Sequence, residues 1–122
     1  MITENYCSFE VAKLLKEKGF NERSSASYDS KGQLKEGYGH WNKTPIWYAA
    51  PTHQMAMKWL REVHGIFIAI NNDDLDFNWQ CYDLINRDST LDPNILSESY
   101  AGYKTYEEAV EAALKYILEK LI

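Results

Sequence analysis

The chain has 122 residues, of which 45% are hydrophobic and 25% are charged, and its formal net charge is −5. This composition is typical of a folded globular protein and excludes an intrinsically disordered chain. The acidic balance argues against nucleic acid and against an anionic membrane as partners. We expect a single domain over residues 1–122, because domains of about 100–150 residues are the commonest.

Three features of the sequence indicate a cytoplasmic location. No apolar run approaches the roughly 18 residues that a membrane span requires. The N-terminus has neither the basic nor the long apolar stretch of a signal peptide, so we expect none. The two cysteines, Cys7 and Cys81, are far apart and form no C-x-x-C pair, which fits free thiols in a reducing compartment.

The first two helices are predicted from their end signals. Ser8 is a good N-cap for the first helix, and Gly19 is its natural left-handed terminator. The second helix begins near Pro51-Thr52 and stops at Gly65. Their apolar stripes are Val11, Leu14 and Leu15 in the first helix, and Met55, Ala56, Trp59, Leu60 and Val63 in the second.

The third helix has the strongest start signal in the chain. Thr105 stands three residues before Glu108, which is the spacing of a capping box. A broad apolar stripe follows, and it predicts that this helix docks on the sheet. The stripe consists of Tyr106, Ala109, Val110, Ala113, Leu114, Ile117, Leu118 and Leu121.

Strands are predicted between the second and third helices. Residues 66–70 form a continuous apolar run, so we expect both faces of this strand to be covered. Turn residues at 71–74 lead into a half-buried, alternating strand at residues 77–84. After a loop at residues 86–94, the chain returns as a strand at residues 95–100.

The chain ahead of the second helix offers weaker strand signals. Residues 46–49 are predicted as a short strand, and the polar segment of residues 21–39 as a loop with room for one short strand at residues 26–28. With one strand counted ahead of the second helix, the order is α-β-α-β-β-β-α, which repeats no βαβ unit. We therefore predict an α+β fold in which a small, mainly antiparallel sheet of three to five strands packs with three amphipathic helices.

Neither a metal site nor a cofactor is predicted. Among the histidines, His53 and His64 would lie on the order of 16 Å apart along the second helix, too far to share an ion. The acidic turn that begins at Asn72 has Phe77 where a calcium loop requires glycine. No phosphate-binding or nucleophile motif is present, so no catalytic residue is assigned.

An aromatic segment, residues 38–48, is the most unusual feature of the sequence. Tyrosine and tryptophan carry a large apolar face with a polar tip and dominate binding hot spots, so the segment predicts a recognition surface. Alternatively, the rings cover the sheet edge and fill the small core. Arg61, near the end of the second helix, is a further candidate, although a solvated arginine is more common. The candidate residues within the segment are Tyr38, His40, Trp41, Trp47 and Tyr48.

Three stretches of the chain carry a resemblance. They are residues 9–20, which end in Gly-Phe; residues 50–66, where Ala-Pro-Thr leads into a Lys-Trp-Leu-Arg-Glu helix; and residues 106–109, Tyr-Glu-Glu-Ala. Together these stretches resemble a group of small uncharacterised proteins of gut Bacteroidetes and of their phages and mobile elements. The resemblance implies a compact cytoplasmic domain of phage or mobile-element origin, and it implies no activity or catalytic residue.

The sequence therefore predicts a non-enzymatic interaction or accessory module whose aromatic segment binds a protein partner. Homodimerisation is expected if the sheet leaves an amphipathic helix uncovered, because two-fold dimers are the commonest oligomers. One alternative is a small-ligand binder or enzyme that uses the aromatic segment, with His40 as general acid or base. The other is an acidic inhibitor of a host protein, although the carboxylates are interspersed with lysines rather than grouped.

Overall fold

A computed structural model describes residues 2–85, 95–99 and 101–122. The predicted α+β class, the three helices and their order along the chain are confirmed. The loop predicted at residues 86–94 lies outside the described residues. The elements are α1 (Phe9–Glu17), β1 (Ser24–Tyr28), β2 (Leu34–Gly39), a 3-10 turn (Trp41–Lys43), β3 (Tyr48–Ala49), α2 (His53–Trp59), a π-helical turn (Leu60–His64), β4 (Ile66–Asp73), β5 (Asp76–Asp83), β6 (Ile95–Glu98) and α3 (Tyr106–Lys120).

The strands form two antiparallel three-stranded sheets instead of one. The first sheet has the order β2-β1-β3 and the second has the order β4-β5-β6. The segment of residues 21–39, predicted as a loop with one short strand, forms the β1–β2 hairpin. Strand β2 lies at a sheet edge and residues 34–38 are all exposed, so it lacks the alternation of buried side chains by which strands are recognised.

The helix ends follow their sequence signals. The side chains of Ser8 and Thr52 each accept a backbone N–H from the first turn of α1 and α2. Gly19 and Gly65 adopt left-handed conformations with φ of +92° and +65°. Each helix ends at its glycine, because glycine adopts positive φ without the steric cost that a side chain would add.

The start of α3 differs in one detail from the predicted capping box. Thr105 Oγ1 accepts the backbone N–H of Glu108 at 3.1 Å, as expected. The Glu108 carboxylate, however, accepts the backbone N–H of Lys104 at 3.2 Å, one residue before the capping residue. Both contacts still satisfy backbone donors near the helix start.

The main core lies between the three helices and one face of the second sheet. Helix α3 contributes the predicted stripe to this core. In the second helix, Met55 and Val63 are 42% and 59% exposed, so the prediction that they belong to the buried stripe is wrong. Val63 lies in the π-helical turn, whose wider spacing rotates it away from the α-helical stripe. The largest core residues are Leu15, Phe20, Trp59, Leu60, Trp79, Leu114, Ile117 and Leu118.

The outer face of the second sheet is not fully covered. Ile66 and Ile68 point into the core, but Phe67 is 39% exposed and contacts Tyr82 across the strands, with ring centroids 6.3 Å apart. The prediction that both faces of residues 66–70 are covered is therefore wrong at Phe67, whose side chain lies on the face opposite Ile66 and Ile68. Among the described residues, no helix has the length and apolar character needed to cross a membrane.

Candidate functional site

The aromatic segment runs from the end of β2 through the 3-10 turn to β3. Trp41 and Trp47 are partly exposed and pack together, with ring centroids 5.7 Å apart. The Trp41 indole N–H donates to the Gly37 carbonyl at 3.0 Å. The same ring lies against Gly39, where an added Cβ would stand 3.0 Å from it. The structure thus places this tryptophan pair over the end of β2.

Hydrogen bonds from outside the segment hold it in place. Lys16 on α1 donates from its amine to the carbonyls of Thr44 and Trp47, at 2.6 and 2.7 Å. Asn42 donates to the carbonyl of Phe20 at 2.9 Å and accepts a backbone N–H of β3. A segment ordered in this way loses little conformational entropy when it binds a partner.

Tyr38 lies in a bulged part of β2. The register shifts between the pairs Ser24–Gly39 and Ala26–Glu36, so β2 has one extra residue there. A Cβ added at Gly37 or Gly39 would lie 3.8 or 3.0 Å from the Trp41 ring. The Tyr38 side chain is 73% exposed.

The remaining predicted site residues are Tyr48, His40 and Arg61. Tyr48 lies edge-on to Phe9, with ring centroids 5.5 Å apart, and packs between α1 and the first sheet. His40 is partly buried, and its Nδ1 has no hydrogen-bond partner in the described part of the chain. Arg61 lies in the π-helical turn, and among the described residues no hydrogen bond or ion pair links it to the aromatic segment.

Comparisons with known proteins do not assign this arrangement to a family. A scan against protein-family models found no match, and neither did searches of curated proteins and of solved structures. The resemblance to the small Bacteroidetes proteins stays a prediction. The chemistry of this chain must therefore be inferred from its own side chains.

A second cluster joins the starts of α1 and α2 to the middle of α3. His53 Nε2 lies 2.7 Å from Glu111 Oε2, and Cys7 lies beside them. One sulfur, one ring nitrogen and one carboxylate oxygen of these residues lie within 4.8 Å of one another. Cys7 is fully buried and His53 is 4% exposed.

The environment of this cluster keeps the thiol neutral. Burial raises the pKa of Cys7 well above its ordinary value, and the nearby carboxylate of Glu111 adds to the rise. Burial also raises the pKa of Glu111, but hydrogen bonds from His53 and Ser8 outweigh it and leave this pKa below its ordinary value. The Cys7 thiol points to the Thr52 carbonyl at 4.0 Å, while His53 Nε2 contacts Glu111 instead of the sulfur, unlike the thiol–imidazole hydrogen bond of a Cys–His catalytic pair.

A cavity opens beside the cluster. Its volume is about 430 Å³, and both His53 and Glu111 reach its wall. Cys7 is not part of the wall, which places the thiol behind the other two side chains. The lining residues are Asn5, Tyr6, Ser8, His53, Tyr103, Glu107, Glu108 and Glu111.

Sequence reasoning missed this cluster because its members are distant along the chain. His53 and Glu111 are 58 positions apart, and helix spacing relates His53 only to His64. The one available signal is that Cys7 and His53 each neighbour an N-cap residue and so lie at helix starts. Spacing alone does not reveal that the two helix starts meet.

Proposed function

We propose that the protein is an interaction module that binds a protein partner through a surface formed by Trp41, Ile46 and Trp47. The observation that carries this proposal is a pre-ordered tryptophan pair, together with the 62% exposure of Ile46, the residue that precedes Trp47 in the chain. Tryptophan is enriched among residues that dominate binding energy. The cytoplasmic setting and the phage or mobile-element origin belong to the same proposal and rest on the sequence alone.

The hydrogen bonds around the segment support this proposal. Lys16 donates to the carbonyls of Thr44 and Trp47, and Asn42 accepts the N–H of Ala49, so the backbone is held on both sides of Trp47. A partner that contacts the pair would gain buried apolar area without ordering a mobile loop. Because the chain has a net charge of −5, a neutral or basic contact surface on the partner is favoured.

The test uses Ile46, because its exposed side chain can be changed without disturbing the core. Ile46→Asp should weaken binding at least about tenfold by placing a charge in a buried contact. Leu75→Asp is the matched control, since Leu75 is 90% exposed and lies in the β4–β5 turn. The partner is captured from the source cells after nuclease treatment and is then purified. The affinity of each variant for this partner is measured.

Each outcome of this experiment separates the alternatives. Loss of affinity in Ile46→Asp alone supports the proposed surface. Equal affinity in both variants, together with weaker binding at high salt, favours the acidic inhibitor. A second copy of the chain as the captured partner identifies a homodimer. If a small molecule binds the chain and changes the NMR signals of His40, the ligand-binding alternative is favoured.

A further inference from the structure

We propose that Cys7, His53 and Glu111 bind one zinc ion. The three side chains offer a sulfur, a nitrogen and an oxygen within 4.8 Å of one another. Zinc accepts all three donor types, whereas calcium and magnesium prefer oxygen alone. Three protein ligands with an open fourth position are typical of zinc sites that also hold water. This site is independent of the proposed Trp41–Trp47 surface.

The distances require only small movements of the side chains. Zinc–ligand bonds of about 2.0–2.3 Å place neighbouring donors of a tetrahedral site roughly 3.2–3.8 Å apart. The His53–Glu111 contact, at 2.7 Å, would open slightly, and the longest separation in the cluster would shorten. The three ligands lie at the starts of α1 and α2 and on α3, so the helices themselves need not move.

An unused polar atom gives a second indication of a ligand. Nδ1 of His53 is buried and has no hydrogen-bond partner in the described part of the chain. Buried polar atoms are paired in the great majority of cases, and an exception requires a reason.

Charge balance also favours a divalent ion. Zinc binding breaks the S–H bond of Cys7 and forms an S–Zn bond, and the proton leaves to solvent without any change of oxidation state. The thiolate and the Glu111 carboxylate then carry two negative charges, which the ion neutralises. A neutral cluster avoids the cost of a net charge in a buried site.

The adjacent cavity provides a way in. Its wall includes His53 and Glu111, and the Glu111 side chain is 27% exposed. An ion that enters there meets the carboxylate and the imidazole before it reaches the buried thiol. The cavity also has room for the water that would fill the fourth position.

The experiment uses the whole chain, stripped of metal with a chelator and kept reduced. Zinc is titrated by calorimetry and cobalt by absorption spectroscopy, because cobalt bound to a thiolate gives a sulfur-to-metal charge-transfer band. We expect one ion per chain, one proton released per ion and the thiolate band. Cys7→Ser should remove the band and weaken zinc affinity by at least about tenfold.

Two matched controls keep the interpretation specific. Cys81 is the other fully buried free cysteine, so Cys81→Ser should retain the band and the affinity. His64→Gln should likewise bind as the unmodified chain does, whereas His53→Gln should not. The proposal is overturned if the chain shows no saturable zinc binding at micromolar concentration, or if Cys7→Ser binds equally well.

A further measurement covers the case in which Cys7→Ser does not fold. Alkylation of the two thiols in the unmodified chain is mapped by mass spectrometry with and without zinc. Zinc should slow modification of Cys7 and leave that of Cys81 unchanged. Equal protection of both thiols, or of neither, would contradict the site.

Discussion

His53 Nε2 lies 2.7 Å from Glu111 Oε2 and joins the first turn of α2 to the middle of α3. The same carboxylate accepts the backbone N–H of Ser8 at 3.2 Å, immediately before α1. The side chains of His53 and Glu111 are only 5% and 27% exposed, so water and salt screen the contact weakly. One carboxylate therefore links all three helices.

Replacement of Glu111 should destabilise the fold strongly. Glu111→Ala leaves His53 and the Ser8 N–H without their acceptor in a mostly buried place, which should cost about 2–4 kcal/mol of the free energy of unfolding. Urea denaturation of metal-free protein measures this loss.

A matched control for this prediction is the ion pair between Glu10 and Lys115. It also joins α1 to α3, at 2.9 Å, but its side chains are 61% and 45% exposed. Glu10→Ala should therefore cost no more than about 1 kcal/mol. Similar losses in Glu10→Ala and Glu111→Ala would show that burial does not set the strength of the Glu111 contacts.

The helices could be predicted because their signals are local. Ser8 and Thr52 cap the helices that follow them, and Gly19 and Gly65 end them, within a few residues of the apolar stripes. Capping and periodicity depend on neighbours three or four positions away, which the sequence displays directly.

A comparison of strand β5 in the second sheet with strand β2 in the first sheet shows where local sequence signals fail. Strand β5 alternates buried and partly exposed residues around Trp79 and Cys81, so it could be predicted, whereas β2 has no buried residue and could not. The meeting of Cys7 with Glu111 and the packing of Trp41 against Gly39 depend on how elements pack and on strand register. These are long-range properties, and one sequence does not contain a direct signal for them.

The amine of Lys16 should be needed for the order of the aromatic segment. Lys16→Met keeps most of the apolar stem but removes the donors to the carbonyls of Thr44 and Trp47. Since hydrogen bonds from charged groups contribute about 1.5–3 kcal/mol, we expect a loss of this size. We also expect faster amide hydrogen exchange in residues 44–47 and weaker binding of the proposed partner.

Lys13→Met is the control for the Lys16 prediction. Lys13 also lies on α1, with its amine 4.6 Å from the centre of the Phe9 ring, but it is exposed, and among the described residues no hydrogen bond or ion pair links it to the aromatic segment. Its replacement should leave hydrogen exchange in residues 44–47 unchanged. If Lys16→Met also leaves that exchange unchanged, the two hydrogen bonds do not order the segment.

Asp29 should make the β1–β2 turn sensitive to acid. Its carboxylate accepts backbone N–H groups of Gln33 and Lys31, at 3.0 and 2.9 Å. The hydrogen bond from Gln33 is the main reason that the pKa of Asp29 lies below its ordinary value. The stabilisation is thus present above the pKa of the unfolded chain and is lost as pH falls through the lower pKa of the folded chain.

An NMR titration of the Lys31 and Gln33 amide signals checks the Asp29 prediction. Their midpoint should lie below that of Asp29 in the urea-unfolded chain, because the folded state favours the ionised carboxylate. Asp29→Asn should remove the titration from both amides. A midpoint equal to or above that of the unfolded chain would contradict the role of these hydrogen bonds.

Gly39 should control the position of the Trp41 ring. An added Cβ would lie 3.0 Å from the indole, so the ring must move by a few tenths of an ångström. Gly39→Ala should therefore displace the indole N–H signal of Trp41 in the NMR spectrum. Gly19→Ala is the control, since at φ +92° it adds backbone strain but its Cβ would meet no atom within 4 Å. Gly19→Ala should lower stability and leave the Trp41 signal in place, so an unmoved signal in Gly39→Ala would refute the predicted contact.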